Sequence, residues 1–213
     1  KVDGAHAGTI ARTMAVSWRT LKCCTWESYM DCPFYEQMQY VGDTRLQCLL
    51  TYVTTADPTL PAQALRAFDR SRVYEGLTQS RAPATAAGMQ LIPTFSLIYI
   101  LMIEDYLNWV GDEGLVAELR PGIAPILNWF AAYTDPETGL LTMPDYWPFV
   151  DWVSGWEKGN PPGAPNRAGK SVSALINLHM LLALDAASRI YERAKAGSGN
   201  LYFTRANVLR QRI

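Results

Sequence analysis

The chain has 213 residues, 49% of them apolar, 18% charged and 11% aromatic. That mixture excludes a disordered chain, which is poor in apolar residues and high in net charge. The length fits one domain or at most two, and a formal charge of −1 with a pI near 6.2 offers no electrostatic footprint for a phosphate backbone. No nucleic-acid partner is expected. The longest apolar run, residues 91–103, is interrupted by Pro93, Thr94 and Ser96 and stops at Glu104 and Asp105. It falls well short of the roughly 20 apolar residues of a bilayer span, so it reads as a buried helix and no membrane partner is expected.

Apolar residues recur at helical spacing through most of the chain, while strict alternation is scarce, which predicts an all-α fold. In chain order the pattern predicts helices over 5–22, 43–54, 60–72, 94–110, 115–133, 170–195 and 201–212. Asp112-Glu113-Gly114 and residues 134–139 separate some of them as turns, and Pro121 and Pro125 predict a kink in the fifth. Three longer segments, 25–42, 73–93 and 140–169, are polar and rich in aromatic residues. Helical bundles usually connect helices in about two to eight residues, and longer connections tend to carry function. Short and long connections roughly alternate, the pattern of helical hairpins stacked around a ring with the long loops gathered at one end. A repeat solenoid is the lesser reading, since no self-similarity recurs at about 34 or 40 residues.

Cys23, Cys24, Cys32 and Cys48 lack the CxxC spacing of zinc or redox sites; free thiols, no metal and no cofactor are expected. His6 and His179 stand far apart without HxxxH or HExxH spacing and read as structural, and no GxGxxG, GxxxxGK[ST] or GxSxG occurs. The sequence starts at Lys1 and runs out in a helical pattern, with no charged-then-apolar leader. The expectation is a single helical domain over 1–213 that forms part of something longer. Its compartment is open between the cytoplasm and the periplasm or exterior of a bacterium.

The densest polar constellation runs from Trp26 to Asp43, with Glu27, Asp31, Glu36 and Asp43 among five aromatic rings. Carboxylates bind sugar hydroxyls or transfer protons, and sugar rings stack on aromatic faces, so the composition suits a carbohydrate site. A capped loop accounts for it equally well, Asp31 turning ahead of Pro33 and Asp43 capping the next helix. The second long segment offers Tyr74, Glu75, Gln79, Ser80 and Arg81, then small residues over 82–88; Arg81 is suited to an anionic group or a carboxylate, or simply to the surface. The third holds Asp145, Trp147, Asp151, Trp152, Trp156 and Glu157. Three tryptophans so close together either cover the core or wall a ligand pocket.

The string Asp31-Cys32-Pro33-Phe34-Tyr35-Glu36-Gln37-Met38-Gln39-Tyr40-Val41-Gly42-Asp43 closely resembles the acidic signature of bacterial α-L-rhamnosidases, inverting glycoside hydrolases with a six-hairpin (α/α)6 barrel. Further segments agree in order: Gly76-Leu77-Thr78-Gln79-Ser80-Arg81, the apolar helix from Pro93, Asp135-Pro136-Glu137-Thr138-Gly139-Leu140, and Phe149-Val150-Asp151-Trp152. The last is similar to the family's Gly-Asp-Trp segment, with Val150 in place of the glycine. The resemblance implies Glu36 as the catalytic acid, with Asp31 and Asp43 holding sugar hydroxyls and Asp151 and Trp152 lining the same pocket; Arg81 and Trp147 join them as candidate substrate-binding residues. A shared negative neighbourhood would raise the proton affinity of Glu36.

The family's general base is a glutamate from a later hairpin than this chain reaches, and about seven helices are predicted where the closed barrel needs twelve. The resemblance therefore implies an incomplete (α/α)6 barrel carrying the acid half of the site, with Asp145, Asp151 and Glu157 as the carboxylates available to replace the base. It leaves open whether the chain is itself an enzyme. Hydrolysis of terminal α-linked L-rhamnose is the leading expectation. The alternatives are a catalytically inactive sugar-binding arc, or a helical scaffold that self-associates through an open apolar edge.

Overall fold

The computed structural model describes residues 4–83 and 88–213. Among the described residues, eight α-helices run in chain order: α1 (Ala7–Cys23), α2 (Val41–Thr54), α3 (Thr59–Arg70), α4 (Pro93–Trp109), α5 (Glu113–Leu119), α6 (Ile123–Ala131), α7 (Ala174–Arg193) and α8 (Gly199–Arg212). A two-residue hairpin, β1 (Ala164–Pro165) with β2 (Ser171–Val172), is antiparallel.

α4 is apolar on every side, and thirteen of its seventeen residues are buried. A helix of that kind must be wrapped by other helices. Pro93 opens it, where the missing N–H costs nothing, and Ile92 before it is extended, as a residue preceding proline prefers. α2 and α7 pack on its two flanks to make an inner row, and α3, α5–α6 and α8 pack behind as the outer members of three hairpins. Ion pairs fasten the inner row. Arg45 of α2 donates to Asp105 of α4 at 2.8 Å, and Arg189 of α7 forks onto the buried carboxylate of Glu104, its Nη2 at 2.9 Å.

The helix expected over 115–133 is two helices. Arg120–Gly122 forms a 3-10 turn between α5 and α6: Pro121 removes a helical donor, and Arg72 lies against Gly122 so closely that a Cβ there would meet its Nη2 at 1.9 Å. The helix expected from 170 starts at Ala174, because Ser171 and Val172 pair with β1 first. α2 starts two residues before its expected N-cap: Tyr40 holds that position, Asp43 lies in the first turn, and the Val41 N–H is satisfied by the Ser80 carbonyl at 3.0 Å.

The short connections, 55–58, 110–112 and 194–198, join the partners of each hairpin, while the long ones lead into the N-terminal ends of α2, α4 and α7. The alternation read from the sequence is therefore present, and all three long segments feed one end of the inner row. Part of the small-residue stretch at 82–88 lies outside the described residues. Both flanks of the arc are apolar and open. α1 buries only Leu21 and exposes Ile10, Met14 and Trp18, and α8 exposes Leu201, Phe203 and Val208 at the other flank.

Removing Arg189 alone strands the buried Glu104 carboxylate. Arg189→Leu is expected to cost about 1–3 kcal/mol in urea denaturation, and the Glu104→Leu/Arg189→Leu pair less than that single change, since no uncompensated charge is left inside. Equal or greater loss in the double variant would contradict this role for the pair.

Candidate functional site

The acidic segment is shaped by hydrogen bonds to its own residues. The Asp31 N–H donates to the Met38 carbonyl at 2.8 Å, and the Met38 N–H returns to Asp31 Oδ1 at 3.0 Å, so Asp31 clasps the loop shut. Within the clasp, the Glu36 N–H points at Cys32 Sγ, 3.3 Å away, and Gln37, whose φ is +54°, donates from Nε2 to the Pro33 carbonyl at 3.0 Å. Tyr29 anchors the loop's start: it is fully buried, its hydroxyl pairs with Thr51 Oγ1 at 2.8 Å, and its N–H donates to Gln39 Oε1 at 3.2 Å.

The second segment is sewn to the first. Val41 N–H meets the Ser80 carbonyl, Ala82 N–H meets the Gln39 carbonyl at 3.1 Å, and Gln39 Nε2 donates to the Ala82 carbonyl at 2.7 Å. This short ladder makes Tyr40 and Arg81 bridge partners. The Arg81 guanidinium lies over the Tyr40 ring, 6.0 Å from its centroid, and its Nη1 donates to the Tyr40 hydroxyl at 3.3 Å. Its Nε is buried without a hydrogen-bond partner among the described residues. Burial and the Glu36 carboxylate push the Tyr40 phenol up, and Arg81 pulls it down, so Glu36, Tyr40 and Arg81 share one neighbourhood. Gln79 instead turns back to Ser71.

The third segment is held by buried polar groups. Asn177 of α7 pairs both backbone groups of Leu141, accepting from its N–H at 2.8 Å and donating to its carbonyl at 3.0 Å. Thr94, in the first turn of α4, donates to the Phe149 carbonyl at 2.6 Å. The Phe95 ring meets Phe149 edge-on at 6.1 Å and also presses on Gly42, where a Cβ would sit 3.0 Å from Phe95 Cζ. One side chain thus seats the first turn of α2 and the tryptophan segment together. Trp147 and Trp152 pack with Phe149 at 4.8 and 5.2 Å, and Trp147 Nε1 donates to the Lys158 carbonyl at 3.0 Å. Gly159, with φ +73°, fits where a Cβ would fall 2.4 Å from the Phe149 ring and 3.0 Å from the Asp151 carbonyl. Only a glycine meets both conditions.

Asp31, Glu36 and Asp151 all lie near enough for their charges to act on the Asp43 carboxyl. Loss of hydration among the surrounding protein atoms raises its proton affinity most, though the side chain keeps an open face. Its own backbone N–H opposes this, and the three negative neighbours add to it. The effect expected of a crowded carboxylate is thus carried by Asp43.

The structure therefore brings together Asp31, Glu36, Asp43, Arg81 and Asp151, with Trp147 and Trp152 in the same aromatic cluster beside Phe95. It does not bring Asp145 or Glu75 among them: Tyr133 holds Asp145 at 2.9 Å, Tyr146 holds Glu75 at 2.7 Å, and Tyr146 stacks on Trp129, a separate patch. Trp156 makes no aromatic pair with the cluster among the described residues. His179 turns its Nδ1 to the Leu175 carbonyl at 2.8 Å, a structural role, and all four cysteines are free thiols. Sequence reasoning passed over Tyr40, Phe95 and Gly159; the glycine inside the aromatic segment was the one signal on offer.

Comparison with known proteins bears on this arrangement. The family model described as the bacterial alpha-L-rhamnosidase 6 hairpin glycosidase domain matches residues 7–213. No curated protein matches significantly. Among solved structures, the chain is similar to a GH78 family rhamnosidase of Bacillus sp. GL1, with a TM-score of 0.78 at 24% identity over 93% of this chain and 19% of that one. It is also similar to a rhamnosidase from Klebsiella oxytoca with rhamnose bound, with a TM-score of 0.78 at 23% identity over 92% of this chain and 36% of that one. At these identities the likeness is one of fold, and the chain spans well under two thirds of either protein.

A carboxyl whose folded-state affinity for a proton is raised favours folding when protonated, and that contribution disappears as pH rises through the raised value. Asp43→Asn, neutral at every pH, is therefore expected to unfold at higher urea than the wild type near about pH 7, with the gap shrinking below about pH 4, where the native carboxyl is neutral too. A gap independent of pH would show that the Asp43 charge is not what the substitution relieves.

Proposed function

The chain belongs to the family of bacterial α-L-rhamnosidase six-hairpin glycosidase domains, and from that premise we propose that it carries the general-acid half of a site hydrolysing terminal α-linked L-rhamnose with inversion. Glu36 is the proton donor to the glycosidic oxygen. Asp31, Asp43 and Asp151 take sugar hydroxyls, Arg81 orients the carboxylates through Tyr40, and Trp147 and Trp152 offer ring faces. What supports this reading above all is the gathering of carboxylates from two separate segments at the first turn of α2.

Inversion needs a protonated carboxyl on one side of the bond and an ionised one about 6.5–9.5 Å away, with a water between them. The family resemblance assigns that base to a later hairpin. The 213-residue chain is thus expected to bind an L-rhamnosyl ligand without turning it over. The binding-only and scaffold readings differ from this one in a single measurement: restoring the complete barrel restores turnover only if the acid half is intact.

General acid catalysis is typically worth about 10²–10⁴-fold. In a polypeptide whose six-hairpin barrel is complete, Glu36→Gln is expected to lose activity on that order for alkyl rhamnosides and far less for an activated aryl leaving group, which needs little protonation. Asp31→Asn and Asp43→Asn should weaken both substrates alike, as lost sugar contacts do. A leaving-group-dependent loss in Asp43→Asn instead would move the proton to Asp43, the carboxyl whose affinity is raised.

The proposal extends to association. Exposed apolar side chains on α1 and α8 favour self-association through the open flanks. Sedimentation of the chain should show concentration-dependent oligomers, and a compact monomer across the range would dismiss this part.

A further inference from the structure

Phe34 and Tyr35 stand out in the acidic segment. Both precede Glu36 directly, and both are almost fully out in solvent, 78% and 89% exposed. A core is within reach of this loop: Tyr29 on one side and Val41 on the other are completely buried, yet the turn directs these two rings away from it. They meet each other edge-on, with centroids 5.1 Å apart and planes at 81°, so one ring props the other and leaves its faces open. The backbone beneath them is closed from within by the Glu36 N–H against Cys32 Sγ, the Gln37 amide on the Pro33 carbonyl, and the Asp31–Met38 clasp. Their placement relative to Glu36 is therefore set by the same turn that presents its carboxyl.

A general acid must lie beside the leaving group's oxygen, since that is the atom it protonates. Phe34 and Tyr35 directly precede the acid on the turn that presents it, so their exposed faces are the ring faces nearest along the chain to the departing half of the substrate. We infer that Phe34 and Tyr35 form a leaving-group platform that selects ligands whose aglycone presents a flat ring face next to the glycosidic oxygen. The inference rests on the rhamnosyl reading above. Its ligand chemistry is a ring that can stack, supplied either by an aryl aglycone or by the apolar face of a second sugar.

The test titrates the 213-residue chain, followed by NMR, with methyl α-L-rhamnoside, p-nitrophenyl α-L-rhamnoside and a rhamnosyl disaccharide. One aromatic contact is worth about 0.5–1.5 kcal/mol, or about 2- to 12-fold. A ring-bearing ligand should therefore bind more tightly than the methyl glycoside by a factor in that range, and the ratio should collapse to about 1 in Phe34→Ala/Tyr35→Ala. Both rings are exposed, so the variant should keep the wild-type spectrum elsewhere, and Tyr35→Phe should retain the ratio. A gain with the aryl glycoside assigns the platform to aryl aglycones, and a gain with the disaccharide alone assigns it to a sugar face. No gain in the wild type, or a gain that survives the double substitution, overturns the platform and leaves the rhamnosyl reading standing. Failure of all three ligands to bind overturns both.

Discussion

A helix with no polar face cannot lie on a surface, and α4 sets the plan of this molecule for that reason. Its buried flanks call for α2 on one side and α7 on the other, and the two ion pairs at Asp105 and Glu104 fix which helix occupies which side. Burial alone is non-directional; the charges supply direction, at the cost of a carboxylate that must never be left alone. The hairpin partners then have one place to go, behind the inner row. From this follows the feature that matters chemically: the segments entering α2, α4 and α7 arrive at the same end.

Phe95 converts that architecture into a site. It belongs to the first turn of α4, so its position is inherited from a helix buried along most of its length, and it touches both Gly42 and Phe149. Sites held by scaffold elements are more exact than those left to loops alone. Here a loop of acidic residues and a loop of tryptophans are registered against each other through one ring. The glycine at position 42 is a packing requirement of that contact, which gives the Gly42-Asp43 pair two unrelated reasons to occur together: room for a ring, and a carboxyl at the start of a helix.

Much of this was legible in the sequence, because helical periodicity is a local signal and the long polar segments interrupt it plainly. The boundaries that moved did so for reasons outside their own residues. Pro125 is absorbed near the start of α6, where its missing donor is harmless, so Pro121 and the pressure of Arg72 on Gly122 decide where 115–133 divides. Asp43 had every local mark of an N-cap, but the Ser80 carbonyl, supplied from another segment, lets α2 begin earlier. The Tyr40–Arg81 bridge and the Glu104–Arg189 fork join residues far apart in the chain, and no spacing rule reaches that far. The acidic string itself was legible; which of its carboxyls would feel the crowding was not, since that depends on Asp151 from a distant loop.

The placement of Asp43 in the first turn of α2 sets two effects against each other. A helix N-terminus favours a negative charge, and the residue's own backbone N–H adds to that, yet the carboxyl still gains affinity for a proton because dehydration and three like charges outweigh both. An isolated capping aspartate at a helix start would behave in the opposite way. The cluster is therefore not explained by the needs of the helix it begins: a helix requires one anion there at most, and each further carboxylate makes the first harder to ionise. Asp31 has a use of its own in closing its loop, but the helix gains nothing from Glu36 or Asp151 beside Asp43. On the reading proposed above, a site that must hold a proton at one oxygen while binding hydroxyls with others has a use for that repulsion.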